Sequence, residues 1–177
     1  FAASMSMDIS NQNKLSEFYE ELRRLKINIL RPDINKCYAD FYSDGTNFFY
    51  SLGALKNVGY EAISNIVKER SKNGIFKSIY DFINRVDPKD MNKLQLEGLV
   101  KAGAFDSLNI NRNSIFESIP NIILKSKNLN EHKLNNQIDL FNESEESSDK
   151  ILKKTDDWKL DEKLNKEFET LGFFISD

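Results

Sequence analysis

The chain has 177 residues, 40% of them hydrophobic and 30% charged, with a net charge of -3; that is enough apolar material for one ordinary domain or two small ones, so most of it folds. Seven Gly and three Pro exclude a fibrous or low-complexity chain, and Cys37 and His132, each the sole residue of its type, exclude a disulfide framework and a Cys/His zinc site within one chain. No apolar run approaches about eighteen residues and no basic region precedes an apolar stretch at the N-terminus, so neither membrane span nor export signal is expected, and the cysteine points to a reducing cytoplasm.

Leu15, Phe18, Tyr19, Leu22 and Leu25 recur at helical spacing after possible caps at Ser10, Asn11 and Asn13, which predicts an amphipathic helix over residues 12–26. Ile27-Asn28-Ile29-Leu30 follows as a short extended run, closed by Arg31-Pro32-Asp33 because the residue before a proline is pushed out of the helical region. Phe41-Tyr42-Ser43 and Phe48-Phe49-Tyr50 flank Asp44-Gly45, a dipeptide that tolerates positive φ, and predict a small β-hairpin.

From Leu52 onward the signals are helical. Ile63, Ile66, Val67 and Arg70 mark one helix ended by Asn73-Gly74, and Ile79, Phe82, Ile83 and Val86 a second ended by Asp87-Pro88. Leu94, Leu99 and Val100 lie on a third that stops at Gly103; Ile115, Phe116, Ile119, Ile122 and Ile123 mark a fourth, kinked or restarted by Pro120. Residues 126–157 carry too few apolar groups to offset ordering entropy and read as a flexible linker. Leu160, Leu164, Phe168 and Leu171 fall on one stripe ended by Gly172, predicting a last helix that leads towards a strand and packs on a domain outside this chain. The start at Phe1 and the end at Ile175-Ser176-Asp177 read as cuts in a longer protein. The fold class expected is mainly α with one small β-hairpin.

Two segments suggest chemistry. Leu55-Lys56-Asn57-Val58-Gly59-Tyr60-Glu61-Ala62-Ile63 resembles the helix-hairpin-helix motif, with Asn57 in the place of its first glycine. Asn enters the left-handed region more readily than most residues; Val58 would plug between the helices, and Gly59 would let a phosphate approach the amides that open the next helix. Taken alone, the turn reads first as a helix–helix junction that merely uses glycine. Val100-Lys101-Ala102-Gly103-Ala104-Phe105-Asp106 is a second candidate in similar context, and a pair is the stronger sign. Lys56, Lys68, Arg70, Lys72, Lys77 and Lys101 lie near the two and could neutralise phosphates as a group. Charge agrees mildly: residues 1–50 carry -1, residues 51–130 +4 and residues 131–177 -6.

Read in order, Glu21-Leu22-Arg23-Arg24-Leu25-Lys26-Ile27, Leu30-Arg31-Pro32-Asp33-Ile34-Asn35, Leu52-Gly53-Ala54-Leu55-Lys56-Asn57-Val58-Gly59, Phe76-Lys77-Ser78-Ile79-Tyr80-Asp81-Phe82 and Lys101-Ala102-Gly103-Ala104-Phe105-Asp106 resemble the C-family replicative DNA polymerases, the bacterial DNA polymerase III alpha subunits. The family often has Pro where Arg31 stands and usually Gly where Asn57 stands. Gln137-Ile138-Asp139-Leu140-Phe141 is similar to the pentapeptide with which that family binds the sliding clamp: a Gln amide to set register and two adjacent apolar anchors for a pocket. Trp158, Leu164, Glu167 and Leu171-Gly172-Phe173-Phe174-Ile175-Ser176 resemble the lead-in to its oligonucleotide-binding barrel.

The resemblance implies residues 1–35 as the C-terminal part of a fingers domain, 36–125 as a tandem helix-hairpin-helix domain, 126–157 as a linker with the clamp motif, and 158–177 as a helix before a barrel not in this chain. It implies duplex DNA, the sliding clamp and the other holoenzyme subunits as partners, no membrane, and a cytoplasmic location. DNA contacts would come from Lys56, Asn57, Val58, Gly59, Lys68, Lys101, Ala102, Gly103 and Ala104. Neither a catalytic residue nor a metal ligand is expected here: the family's carboxylates, which hold magnesium, lie in a palm domain, so the segment alone should transfer no nucleotides. Asp8, Asp33, Asp81 and Asp106 read instead as caps and turns. A stand-alone helix-hairpin-helix module of a repair or recombination protein is the alternative.

Overall fold

Four helices begin where an Asn or Ser side chain closes the first turn. In the computed structural model, which describes residues 1–135 and 148–175, Asn11 accepts from the Lys14 amide at 3.2 Å, Ser78 from Asp81 at 3.0 Å, Asn92 from Gln95 at 2.9 Å and Asn111 from Ser114 at 2.9 Å. Each such cap stabilises its helix by about 1 kcal/mol. They open α2 (Gln12–Arg24), α4 (Ile79–Arg85), α5 (Lys93–Lys101) and α6 (Arg112–Glu117). The remaining helices are α1 (Ala2–Met7), α3 (Tyr60–Asn73), α7 (Ile119–Leu134), α8 (Ser148–Ile151) and α9 (Leu160–Leu171), with single 3-10 turns at Leu52–Ala54 and Pro88–Asp90. Ser118 separates α6 from α7, so Pro120 restarts the helix rather than kinking it.

The mainly α fold expected is found, but the small sheet is larger than the hairpin read from sequence. Strands β2 (Tyr42–Ser43) and β3 (Asn47–Phe49) form that hairpin, pairing Tyr42 with Phe49. Its turn is set by the Asp44 carboxylate, which accepts from the Thr46 and Asn47 amides at 2.8 and 2.7 Å. The extended run before Pro32 becomes β1 (Asn28–Leu30), which lies parallel to β3 with Ile29 opposite Phe48. Residues 31–41, tightened by a turn at Asp33, give the crossover that a parallel pair requires. That partnership depends on chain far away in sequence, and so no local pattern announced it.

Met5, Leu15, Leu22, Phe48, Tyr50, Leu52, Ile63, Phe82, Leu99, Ile119 and Leu171 belong to one apolar cluster that runs through the described chain. Phe82 sits edge-on between Phe76 at 5.1 Å and Phe105 at 5.0 Å, an arrangement worth about 0.5–1.5 kcal/mol per pair beyond burial. Tyr19 of α2 stacks on Phe173 at 4.3 Å, tying the two ends of the chain together.

Two expectations are corrected here. The segment 126–157 is not a linker where it is described: α7 runs on to Leu134, and Ile151 is buried. The Ser114 hydroxyl donates to the Lys153 carbonyl at 2.6 Å and the Asn111 amide side chain to that of Thr155 at 2.7 Å, so polar side chains of α6 and its cap hold this backbone where apolar groups are few. The last helix, in turn, packs on α5 within this chain. Its predicted stripe is also rotated: Leu160 and Phe168 are 70% and 48% exposed, while Glu167 and Thr170 are buried beside Leu171.

Candidate nucleic-acid interface

The loop from Leu55 to Gly59 is built as its sequence suggests. Ser51 accepts from the Ala54 amide at 3.0 Å and closes the 3-10 turn before it. Asn57 then takes φ +65, the left-handed conformation that the motif's first glycine would take. Val58 is buried, and Lys56, Asn57 and Gly59 are exposed. Gly59 is the N-cap of α3, a 14-residue helix, and contributes no side chain to cap its first-turn amides.

Close packing holds this loop. The carbonyl of Lys56 and Val58 Cγ2 lie against Gly98 of α5, where an added Cβ would come within 2.8 Å of both. The Lys56 amide donates to the Thr170 carbonyl at 3.0 Å. Gly59 departs from expectation: its amide donates to Gln95 Oε1 at 3.0 Å, and Gln95, 1% exposed, also donates to the Asp90 carbonyl. The Gly59 amide is therefore already used and is not open to a ligand.

The second loop differs. Gly103 has φ +78, but Ala102, Gly103 and Ala104 are all buried. Their amides close the end of α5, on Gly98 at 3.1 Å, Val100 at 3.0 Å and Leu99 at 2.9 Å, a left-handed glycine cap. The expectation that these amides face DNA is corrected: the helix end has already used them. Arg112 covers the turn, with Nε and Nη2 on Asp106 at 2.9 and 2.7 Å and Nη1 on Glu167 at 2.8 Å. Burial works to lower the Arg112 pKa, but the bonds from Asp106 and Glu167 outweigh it and the net shift is upward.

The cations divide likewise. Lys68, Lys72 and Lys77 are exposed with Lys56. Arg70 is not available to a ligand, because its Nη1 is buried on the carbonyls of Ile34 and Cys37, both at 2.7 Å. Lys101 Nζ donates to Glu169 Oε2 at 2.9 Å and lies 6.0 Å from the centre of the Phe116 ring. Lys56, Asn57, Leu94, Lys101 and Glu169 line a cleft of about 220 Å³ beside the first loop.

Sequence reading missed Gln95, Arg112, Glu167 and Glu169. Local spacing does not mark them, since the contacts that tie Gln95 to Gly59, Arg112 to Glu167 and Glu169 to Lys101 each span at least 36 positions. Gln137, Ile138, Asp139, Leu140 and Phe141 lie outside the described residues. Among the described residues no three His, Cys, Asp or Glu side chains converge as a metal-binding group, and no helix is long and apolar enough to cross a membrane.

A family profile described as a helix-hairpin-helix motif matches residues 26–115. Nearly the whole chain is similar to proteins named DNA polymerase III subunit alpha. That of Caulobacter vibrioides is 37% identical over 176 residues, covering 99% of this chain and 15% of the relative. That of Borreliella burgdorferi is 39% identical, covering 99% and 16%, and that of Campylobacter jejuni 34% identical, covering 99% and 15%. The chain thus spans about 15% of the length of the curated relatives it matches.

Proposed function

The chain belongs to the helix-hairpin-helix family over residues 26–115, and from that premise we propose that it grips duplex DNA by its phosphates, without reading bases, as one segment of a replicative DNA polymerase. The observation that carries this reading is the first loop: Asn57 at φ +65 turns the chain between the exposed Lys56 and the start of α3, whose first-turn amides have no side-chain cap. Oriented amides at a helix start and a nearby ammonium suit a phosphodiester and discriminate poorly between bases. The second loop is structural and holds the first in place through α5 and α9.

The same reading assigns Gln137-Ile138-Asp139-Leu140-Phe141 to the sliding clamp. Leu140 and Phe141 would be the anchors, each contributing roughly 1.5–3 kcal/mol on full burial, less the cost of ordering the strand. A peptide of this kind alone binds at about micromolar or poorer, and joint contact with DNA raises its effective concentration. Polymerisation by the longer protein, with magnesium held by carboxylates outside this segment, completes the proposal; residues 1–177 alone transfer no nucleotides.

The test is fluorescence anisotropy with two unrelated labelled duplexes over a salt series. Binding should be weak, equal for both sequences and salt-sensitive, and Lys56→Gln should weaken both equally. Salt-independent binding, or preference for one sequence, would overturn the phosphate reading. A titration of purified clamp against wild-type and the Leu140→Ala, Phe141→Ala double variant tests the tether; equal binding would place it elsewhere.

A further inference from the structure

Glu169 stands in the cleft where a duplex-binding surface calls for positive charge. It lies in the last turn of α9, next to Thr170, whose carbonyl is fixed to the Lys56 amide at 3.0 Å. The backbone thus sets Glu169 against the first loop. Its Oε2 accepts from Lys101 Nζ at 2.9 Å. The carboxylate side chain is 59% exposed and the lysine 23%, so the acid, not the amine, meets solvent. The hydrogen bond from Lys101, and then the charges of Lys101, Lys166 and Lys56, hold the Glu169 carboxyl below its usual range. The cations around it are therefore arranged for an anion.

A carboxylate and a phosphodiester present the same thing to an ammonium: a negative oxygen that accepts short, charge-assisted hydrogen bonds. We propose that the Glu169 carboxylate fills a second phosphate subsite, formed by Lys101 and Lys56 beside the first loop, and that a DNA phosphate replaces it on Lys101. This rests on the duplex-binding reading above. On displacement the exposed Glu169 side chain swings to solvent, while Lys101 keeps its place over the Phe116 ring, 6.0 Å from its centre. The exchange trades one anion for another, so Glu169 restrains non-specific binding without blocking it. Glu97 supplies the control. It lines the same cleft, but its Oε1 faces Lys93 Nζ at 3.8 Å rather than Lys101.

The experiment measures labelled-duplex affinity over a salt series for the 177-residue chain and for Glu169→Gln, Glu169→Ala, Glu97→Gln, Lys101→Gln and the Lys101→Gln, Glu169→Gln double variant, each checked by thermal melting. Glu169→Gln and Glu169→Ala should bind about fivefold tighter at low salt with the slope of log affinity against log salt unchanged, since the same phosphate sits on Lys101 once bound, whereas Lys101→Gln should flatten that slope by about 0.9. Lys101→Gln should weaken binding, and the double variant should bind no tighter than wild-type. An equal gain from Glu97→Gln would reduce the effect to the general field of the cleft and overturn the subsite. So would a double variant that keeps the gain, or Glu169 variants that melt normally and bind no tighter. If no variant bound duplex, the DNA-binding reading itself would fall, and this subsite with it; duplex binding by wild-type that is unchanged in the Glu169 variants sinks the subsite alone.

Discussion

Arg112 Nη1 donates to Glu167 Oε1 at 2.8 Å across 55 residues of sequence, and both side chains are almost wholly buried. The pair joins the turn after α5 to α9, and the same guanidinium holds Asp106 and touches the Lys101 carbonyl at 3.4 Å. Removing Glu167 leaves Arg112 Nη1 without its carboxylate in a buried place, while Nε and Nη2 stay on Asp106. Glu167→Ala should therefore cost about 1–3 kcal/mol, read as a lower midpoint in urea unfolding. Replacing both partners with apolar residues, Arg112→Met and Glu167→Leu, should recover much of that loss; a double variant as unstable as the single would show that the charge is not what matters.

Two glycines with similar φ separate strain from crowding. Gly74 has φ +86 and open space around it, whereas Gly103 has φ +78 and an added Cβ would fall 2.3 Å from Arg112 Nη2. Gly74, at φ +86 and ψ 175, sits in a region nearly confined to glycine, so Gly74→Ala should lose only that backbone strain, of order 1–3 kcal/mol. Gly103→Ala should melt lower still, because Arg112 must also move off Asp106. Equal melting temperatures would mean that the guanidinium adjusts freely.

Asn57 gives a test of the first loop's shape. Glycine suits φ +65, so Asn57→Gly should stay within about 1 kcal/mol of wild-type and retain duplex binding. Asn57→Val should lose about 1–2 kcal/mol and weaken binding, since a β-branched residue resists that conformation. Unaltered binding by Asn57→Val would separate loop geometry from DNA contact.

Cys37 reports on opening. It is fully buried, and burial pushes its thiol up to about 12 from an ordinary 9.0. Alkylation by iodoacetamide near pH 8 should be negligible in the native chain and rapid in urea. The sign for stability follows: the contribution is intact below the ordinary value and is lost as pH rises towards the native one, because only the unfolded thiol ionises in between. Unfolding midpoints should fall above pH 9 and fall less in Cys37→Ala; identical pH profiles would assign the alkaline loss to other groups.

The sequence alone determined what local chemistry controls. A cap at Asn11 starts α2, Asp44-Gly45 turns a hairpin, and an asparagine tolerant of left-handed backbone shapes the first loop at Asn57. Each needs partners only a few residues away, so spacing reveals it. Only the tertiary structure decided which groups a ligand can reach. Arg70 and Lys101 look like any basic side chains in sequence, yet distant carbonyls hold the first and Glu169 the second. Gly103 fits the same pattern as Gly59, but its loop is closed by Arg112 and Glu167 from elsewhere in the chain. The α9 stripe failed for the same reason: a buried guanidinium needs a carboxylate, and that requirement turned Glu167 inward and left Phe168 at the surface. Pairing between charges remote in sequence leaves no periodic trace, and it is settled only when packing brings them together.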